Sequence, residues 1–191
     1  MRVIDLAREE DFAVACQALF DRVSCELGED WLIVGIETGG MRVVEAWAAS
    51  RVLSSCSIRA QRPATGAKGR MRPLIRRLPP AVANILRNIE RLIFRSLRKS
   101  GRTSSRDVFL PQEAKLSISN AARILVVDDA IDSGETLKAC LDAINGLNST
   151  ARVKTAVLAV TESDPILTAD VQLYEGVMLR FPWSSDSVVQ T

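Results

Sequence analysis

Apolar positions along the chain fall into two kinds of run. In residues 8–28, Phe12, Ala15, Cys16, Leu19, Phe20, Val23 and Leu27 recur at spacings of three and four, which predicts an amphipathic helix stopped by Gly28. The second kind is unbroken and strand-sized: WLIVGI (31–36), RILVVDD (123–129) and ARVKTAVLAV (151–160). A strand buried on both faces needs no polar alternation, so these runs predict a parallel sheet covered by helices. Helical patterns at 41–50 and Glu135–Leu147 lie between them; 51–62 alternates in part, and 170–181 offers a last strand. The fold class expected is α/β, a doubly wound, mostly parallel sheet forming a single domain over residues 1–191. In such sheets ligands bind beyond the carboxyl ends of the strands, which is where the loops after residues 36 and 127 fall.

Composition narrows the chemistry more than the fold. At 47% hydrophobic and 25% charged residues the chain reads as globular, and its apolar runs are too short to span a membrane. The start, MRVIDLAREED, is acidic and carries no signal-peptide pattern. Four scattered cysteines without C-x-x-C point to a reduced cytoplasm and to no zinc cluster. Histidine is absent altogether, which excludes Ser-His-Asp and Cys-His catalysis and imidazole acid–base chemistry.

The net charge of +2 conceals an asymmetry. Between Arg59 and Arg106 stand fourteen Lys/Arg against one acid, Glu90, leaving 11 basic and 22 acidic residues elsewhere. A basic block in an acidic body suits an anionic partner, or simply a solvated face. Within it, residues 80–99 read as a long helix with Val82, Ile85, Leu86, Ile89, Ile93 and Leu97 on one side and Arg87, Arg91, Arg95 and Arg98 on the other. Packing of the apolar side on the domain or a second subunit is the simplest account. An anionic membrane surface is the sharper one. Nucleic acid is disfavoured, because Phe94 is the block's sole aromatic residue.

The segment richest in chemistry is Ile124–Leu137, ILVVDDAIDSGETL. A buried strand delivers Asp128 and Asp129 to the sheet edge, and Asp132, Ser133, Gly134, Glu135 and Thr136 then open a helix. Free amides at a helix start, hydroxyls and a glycine form a phosphate cradle, while carboxylates just ahead can accept hydrogen bonds from sugar hydroxyls or lie near a divalent ion. The ligand so described is a phosphorylated ribose. A helix cap at Ser133 with solvated acids is the plainer alternative. A receiver domain also ends its first strand in paired acids, but 69 residues from position 123 are too few for its remaining βαβ units at ~30 residues each.

This stretch closely resembles the signature of type I phosphoribosyltransferases, nearest to the hypoxanthine and xanthine–guanine (6-oxopurine) branch. The resemblance implies a Mg²⁺-dependent cytoplasmic transferase of purine salvage that moves phosphoribose from phosphoribosyl pyrophosphate to a nucleobase, most plausibly a purine. It implies that Asp128 and Asp129 hold the ribose hydroxyls and assist the metal, that Asp132, Ser133, Gly134, Glu135 and Thr136 wrap the 5′-phosphate, and that Asp132 is also the catalytic residue, base or proton acceptor near the purine N7. Val34–Gly40, VGIETGG, is similar to the family's pyrophosphate loop, with Thr38 and Gly39 as contacts and a non-proline cis peptide expected. Many relatives carry Lys or Arg where Thr38 stands. Phe181-Pro182-Trp183 resembles the end of xanthine–guanine-type enzymes, with Phe181 or Trp183 stacking on the base in a small C-terminal hood. The lysine that 6-oxopurine enzymes carry near Thr161 is missing. The resemblance leaves residues 63–112, the basic insert, unexplained, and a homo-oligomer is expected. The alternative is a regulatory protein on the same fold that binds phosphoribosyl pyrophosphate or a nucleotide and uses its basic insert on nucleic acid or membrane.

Overall fold

A computed structural model describes residues 2–27, 30–61 and 106–184. The expected stop at Gly28, the two-sided helix at 80–99 and the body of the basic insert lie outside the described residues.

The chain runs β1 (Arg2–Asp5), α1 (Glu9–Leu27), β2 (Leu32–Ile36), α2 (Gly39–Ala48), β3 (Ser55–Gln61), β4 (Asp107–Phe109), α3 (Gln112–Asn120), β5 (Arg123–Ile131), α4 (Glu135–Leu147), β6 (Arg152–Val160), β7 (Val171–Glu175) and β8 (Val177–Arg180). The main sheet has the order β4-β3-β2-β5-β6-β7, and the β2–β3, β2–β5, β5–β6 and β6–β7 pairings are all parallel. Residues 107–109, the tail of the expected insert, therefore belong to the sheet.

Alternation within the aliphatic runs feeds two cores. Ile33, Leu125, Val127, Ala156 and Leu158 face α1 and α2, where Phe12, Leu19, Val43 and Trp47 are buried. Val34, Ile124, Val126 and Val157 face α3 and α4, meeting Ile118, Leu137, Cys140 and Ile144. Both faces are sealed, which is why the central stretches 32–36, 124–127 and 156–160 carry no polar side chains. The buried indole of Trp47 donates to the carbonyl of Cys16 at 2.7 Å, tying α2 to α1. Burial pushes the Cys16 thiol up to about 12, with the charge of Glu9 adding to it, so this sulfur is packing rather than a nucleophile.

The single strand expected at 170–181 is two strands. Gly176, at φ 66°, turns the chain between them. β7 closes the main sheet, while β8 leaves it and pairs in parallel with β1, in register from Arg2↔Val177 to Asp5↔Arg180. The hood is thus a separate two-stranded sheet built from residues near both ends of the sequence. Asp5 and Arg180 bridge it at 3.1 Å, and the Leu6 amide donates to the Arg180 carbonyl.

Candidate active site

Because β2 and β5 are parallel neighbours, with Gly35 opposite Val127, their carboxyl ends emerge side by side. The loop after β2 and the acids of β5 consequently meet. Their approach is close enough to require glycine. A methyl group added at Gly39 would sit 2.1 Å from the carboxyl carbon of Asp129, and one at Gly40 would sit 2.2 Å from the Val127 carbonyl oxygen. The two glycines of T-G-G are therefore a packing requirement between two strand ends. The Glu37–Thr38 peptide is cis, as the resemblance implied. Thr38 is exposed and Gly39 opens α2, so free helix-start amides lie beside the acids.

On β5, Asp128 is 8% exposed and Asp129 half-buried. Each accepts a backbone bond: the Asp129 amide donates to Asp128 Oδ1 at 2.9 Å, and the Ala130 amide to Asp129 Oδ1 at 2.8 Å. Burial drives the carboxyl of Asp128 well above the usual range, with Asp129 and Asp132 adding repulsion. Asp129 is raised by burial too, against opposing hydrogen bonds from Asp128 and Ala130. Two acids that carry a burial cost and, among the described residues, face no cation suit a partner that brings hydroxyl donors or positive charge.

Beyond them the chain makes a tight turn into α4. Gly134, at φ 80°, caps that helix, and a Cβ there would also meet the Leu167 carbonyl at 2.7 Å. The Ile166 amide donates to the Ser133 carbonyl at 3.0 Å, pinning the turn from outside. Ser133 Oγ accepts weakly from the Glu135 amide at 3.4 Å, while Glu135 and Thr136 form the first turn of α4. Asp132 is exposed, and its carboxylate accepts a short hydrogen bond from the hydroxyl of Thr161 at the end of β6. The same hydroxyl reaches the Ile131 carbonyl at 3.3 Å, so Thr161 orients the acid from the next strand. Thr161 enters the sequence reading only as the place of a missing lysine. Its role as a hydroxyl donor to Asp132 depends on the β5–β6 register.

The two aromatic candidates differ. Phe181 is 7% exposed and packs in the core, with Phe12 edge-on at 6.3 Å and Trp183 stacked on it at 4.8 Å and 3° between planes. One face of Phe181 is thus taken by Trp183. Trp183 is 38% exposed, with Phe12 edge-on at 5.1 Å and the Arg42 guanidinium 6.0 Å from its ring. Of the pair, only Trp183 offers surface, and Arg42 of α2 already competes for it.

Sequence reading also missed the partners of Glu37. Its carboxylate accepts from Ser57 Oγ at 2.9 Å and from Arg59 Nε at 2.7 Å, with Arg59 Nη2 at 2.5 Å. These bonds from Arg59 and Ser57 hold the Glu37 carboxyl below its usual range despite some opposing burial.

The geometry agrees with comparison to known proteins. The chain matches the Phosphoribosyl transferase domain family over residues 5–176 and belongs to that family. Among solved structures it is similar to the Helicobacter pylori xanthine-guanine-hypoxanthine phosphoribosyltransferase, at TM-score 0.65 and 18% identity, covering 97% of this chain and 96% of that one. It is also similar to a purine phosphoribosyltransferase from Pyrococcus horikoshii Ot3, at TM-score 0.61 and 16% identity with full coverage of both chains. A hypoxanthine phosphoribosyltransferase from Staphylococcus aureus gives TM-score 0.54 at 14% identity, over 88% of this chain and 74% of that one. At these identities the likeness is one of fold. No curated protein sequence matches. The protein is a phosphoribosyltransferase, an enzyme that transfers phosphoribose. Among the described residues no helix is long and apolar enough to cross a membrane.

Proposed function

We propose that this enzyme is a purine phosphoribosyltransferase assisted by Mg²⁺, with Asp132 beside the reacting base. The observation that carries the reading is the contact between two strand ends, where Gly39 of the pyrophosphate loop lies against the Asp129 carboxylate. A ligand with a pyrophosphate on one flank and vicinal hydroxyls on the other spans such a junction. The amides opening α4 and the hydroxyls of Ser133 and Thr136 take its 5′-phosphate. Asp128 and Asp129 accept from the ribose hydroxyls, which relieves the burial of their charge.

Bond breaking at C1 develops positive charge on the sugar, so positioning and nearby carboxylates contribute most of the rate. Asp132, oriented by Thr161, accepts the proton from the attacking base nitrogen. Asp128 and Asp129 are hard oxygen donors, and among the described residues no set of three or more acids, cysteines or histidines forms a metal cage. That donor set fits an ion which takes most of its ligands from water and substrate oxygens, as Mg²⁺ does. When bound, Mg²⁺ supplies charge neutralisation for the departing pyrophosphate.

The test is pyrophosphate release from phosphoribosyl pyrophosphate with hypoxanthine, guanine, xanthine, adenine and pyrimidine bases, with and without a chelator. Purine-dependent, chelator-sensitive release is expected. Turnover with pyrimidines alone, or undiminished turnover without Mg²⁺, would overturn the corresponding part.

A further inference from the structure

An acid at position 37 is a problem for a loop that receives pyrophosphate. Glu37 immediately precedes Thr38 and Gly39, and an unpaired carboxylate there repels every anion the loop is meant to hold. The neighbouring position contributes no cation, since Thr38 is uncharged. Strand β3 supplies the answer. Arg59 meets Oε2 of the carboxylate through both Nε and Nη2, and Ser57, two residues earlier on the same face, donates to the other oxygen, Oε1. The Glu37 amide also donates to the Ile58 carbonyl at 2.8 Å, so both backbone and side chain of residue 37 are fastened to β3. With Arg59 on one carboxylate oxygen and Ser57 on the other, the orientation of Glu37 is fixed as well as its charge.

We propose that Arg59 is a positioning residue for pyrophosphate binding: it cancels the charge of Glu37 and fastens the start of the 37–39 loop to β3. The pair is only partly exposed, with 27% of the Glu37 side chain and 53% of that of Arg59 accessible, so solvent screens it incompletely. Hydrogen bonds from Arg59 and Ser57 hold the Glu37 carboxyl below its usual range, which favours the charged form that faces Arg59. Arg59 acts through Glu37 rather than by touching the substrate, which yields an unusual expectation. Removing both charges should do less harm than removing the positive one.

This inference rests on the proposed substrate, and the experiment separates the two. Wild type, Arg59→Ala, Arg59→Lys, Glu37→Gln and the double variant Glu37→Gln/Arg59→Ala are compared for pyrophosphate release with a purine and for binding of phosphoribosyl pyrophosphate by calorimetry. Arg59→Ala should raise KM for phosphoribosyl pyrophosphate about tenfold or more, from one uncompensated charge near a polyanion, with KM for the base nearly unchanged. The double variant should recover most of that loss, and Arg59→Lys should fall between. A double variant as impaired as Arg59→Ala would assign Arg59 a direct contact with pyrophosphate and overturn the proposal. So would an unchanged KM in Arg59→Ala. If wild type itself neither binds phosphoribosyl pyrophosphate nor releases pyrophosphate, the substrate reading fails first.

Discussion

Carboxylates stand at the ends of both β2 and β5, and the fold treats them in opposite ways. Glu37 is partnered by a guanidinium and a hydroxyl, and its pKa is lowered. Asp128 and Asp129 are packed at a strand end with each other and Asp132 for company, and theirs are raised. The first acid is neutralised by the protein itself. Among the described residues no cation pairs with the second pair, and a ligand that brings hydroxyl donors or positive charge would offset its burial. That contrast separates a fastening from a binding site: satisfied charges hold loops in place, and unsatisfied ones recognise something.

The contrast can be broken most sharply at Asp132. If this third acid handles the proton of the base, Asp132→Asn should lower kcat by ~10²–10⁴-fold while calorimetric binding of phosphoribosyl pyrophosphate changes far less. Equal losses in both would make it part of the fastening. Next comes Gly39→Ala. Its methyl group must displace the Asp129 carboxylate, and misplacement of that order costs about 10²-fold in turnover. Retained turnover with normal melting would show that the two strand ends work independently.

Replacing Asp128 and Asp129 together by Asn should leave the apo-protein melting no lower than wild type, because it removes two buried charges and keeps the amide–oxygen bonds. It should also abolish stabilisation by phosphoribosyl pyrophosphate, which for wild type at a hundredfold excess over Kd is ~2.7 kcal/mol. A lower melting temperature with ligand stabilisation intact would put this pair in the same class as Glu37.

The smallest effect belongs to Asp170, a satisfied acid away from the β5 end. Burial raises its pKa, but Lys154 at 2.5 Å and the hydroxyl and amide of Thr155 together outweigh this and lower it. Its contribution to stability is present above the ordinary value of 3.8 and fades as pH falls through the lower, folded value. With about a third of each side chain exposed, Asp170→Asn should cost under about 1 kcal/mol, visible in melts at neutral pH and vanishing in acid.

Much of this was legible in the sequence, for a physical reason. Helix 135–147 and the strands from 31 and 123 are dominated by one-dimensional burial signals, and their observed bounds agree closely. β5 runs two residues past the acids because Ala130 and Ile131 still pair with Ala159 and Val160 on β6. Helix α3 left no mark: it buries only Ala114 and Ile118 in an otherwise polar segment. β1 buries little and exists because β8 comes to it, so nothing local announces it. At the site, the acids and glycines were readable because they are contiguous. Arg59 and Thr161 were not, since their partners lie 22 and 29 residues away across strand pairs.

The hood has a consequence in time as well as in space. Asp5 and Arg180, which close it, are 175 residues apart, so β1 waits unpaired until β8 is synthesised. Closing a loop of that length from an unfolded chain would cost about 4–5 kcal/mol in entropy. Once the main sheet has formed, only the short links at residues 6–8 and at Gly176 remain to be ordered. Trp183, three residues beyond β8, is then placed against Phe12 and Phe181 in the same event. The aromatic wall beside α2 is therefore expected to be the last part of the molecule to acquire native structure, and the first to lose hydrogen-exchange protection on warming.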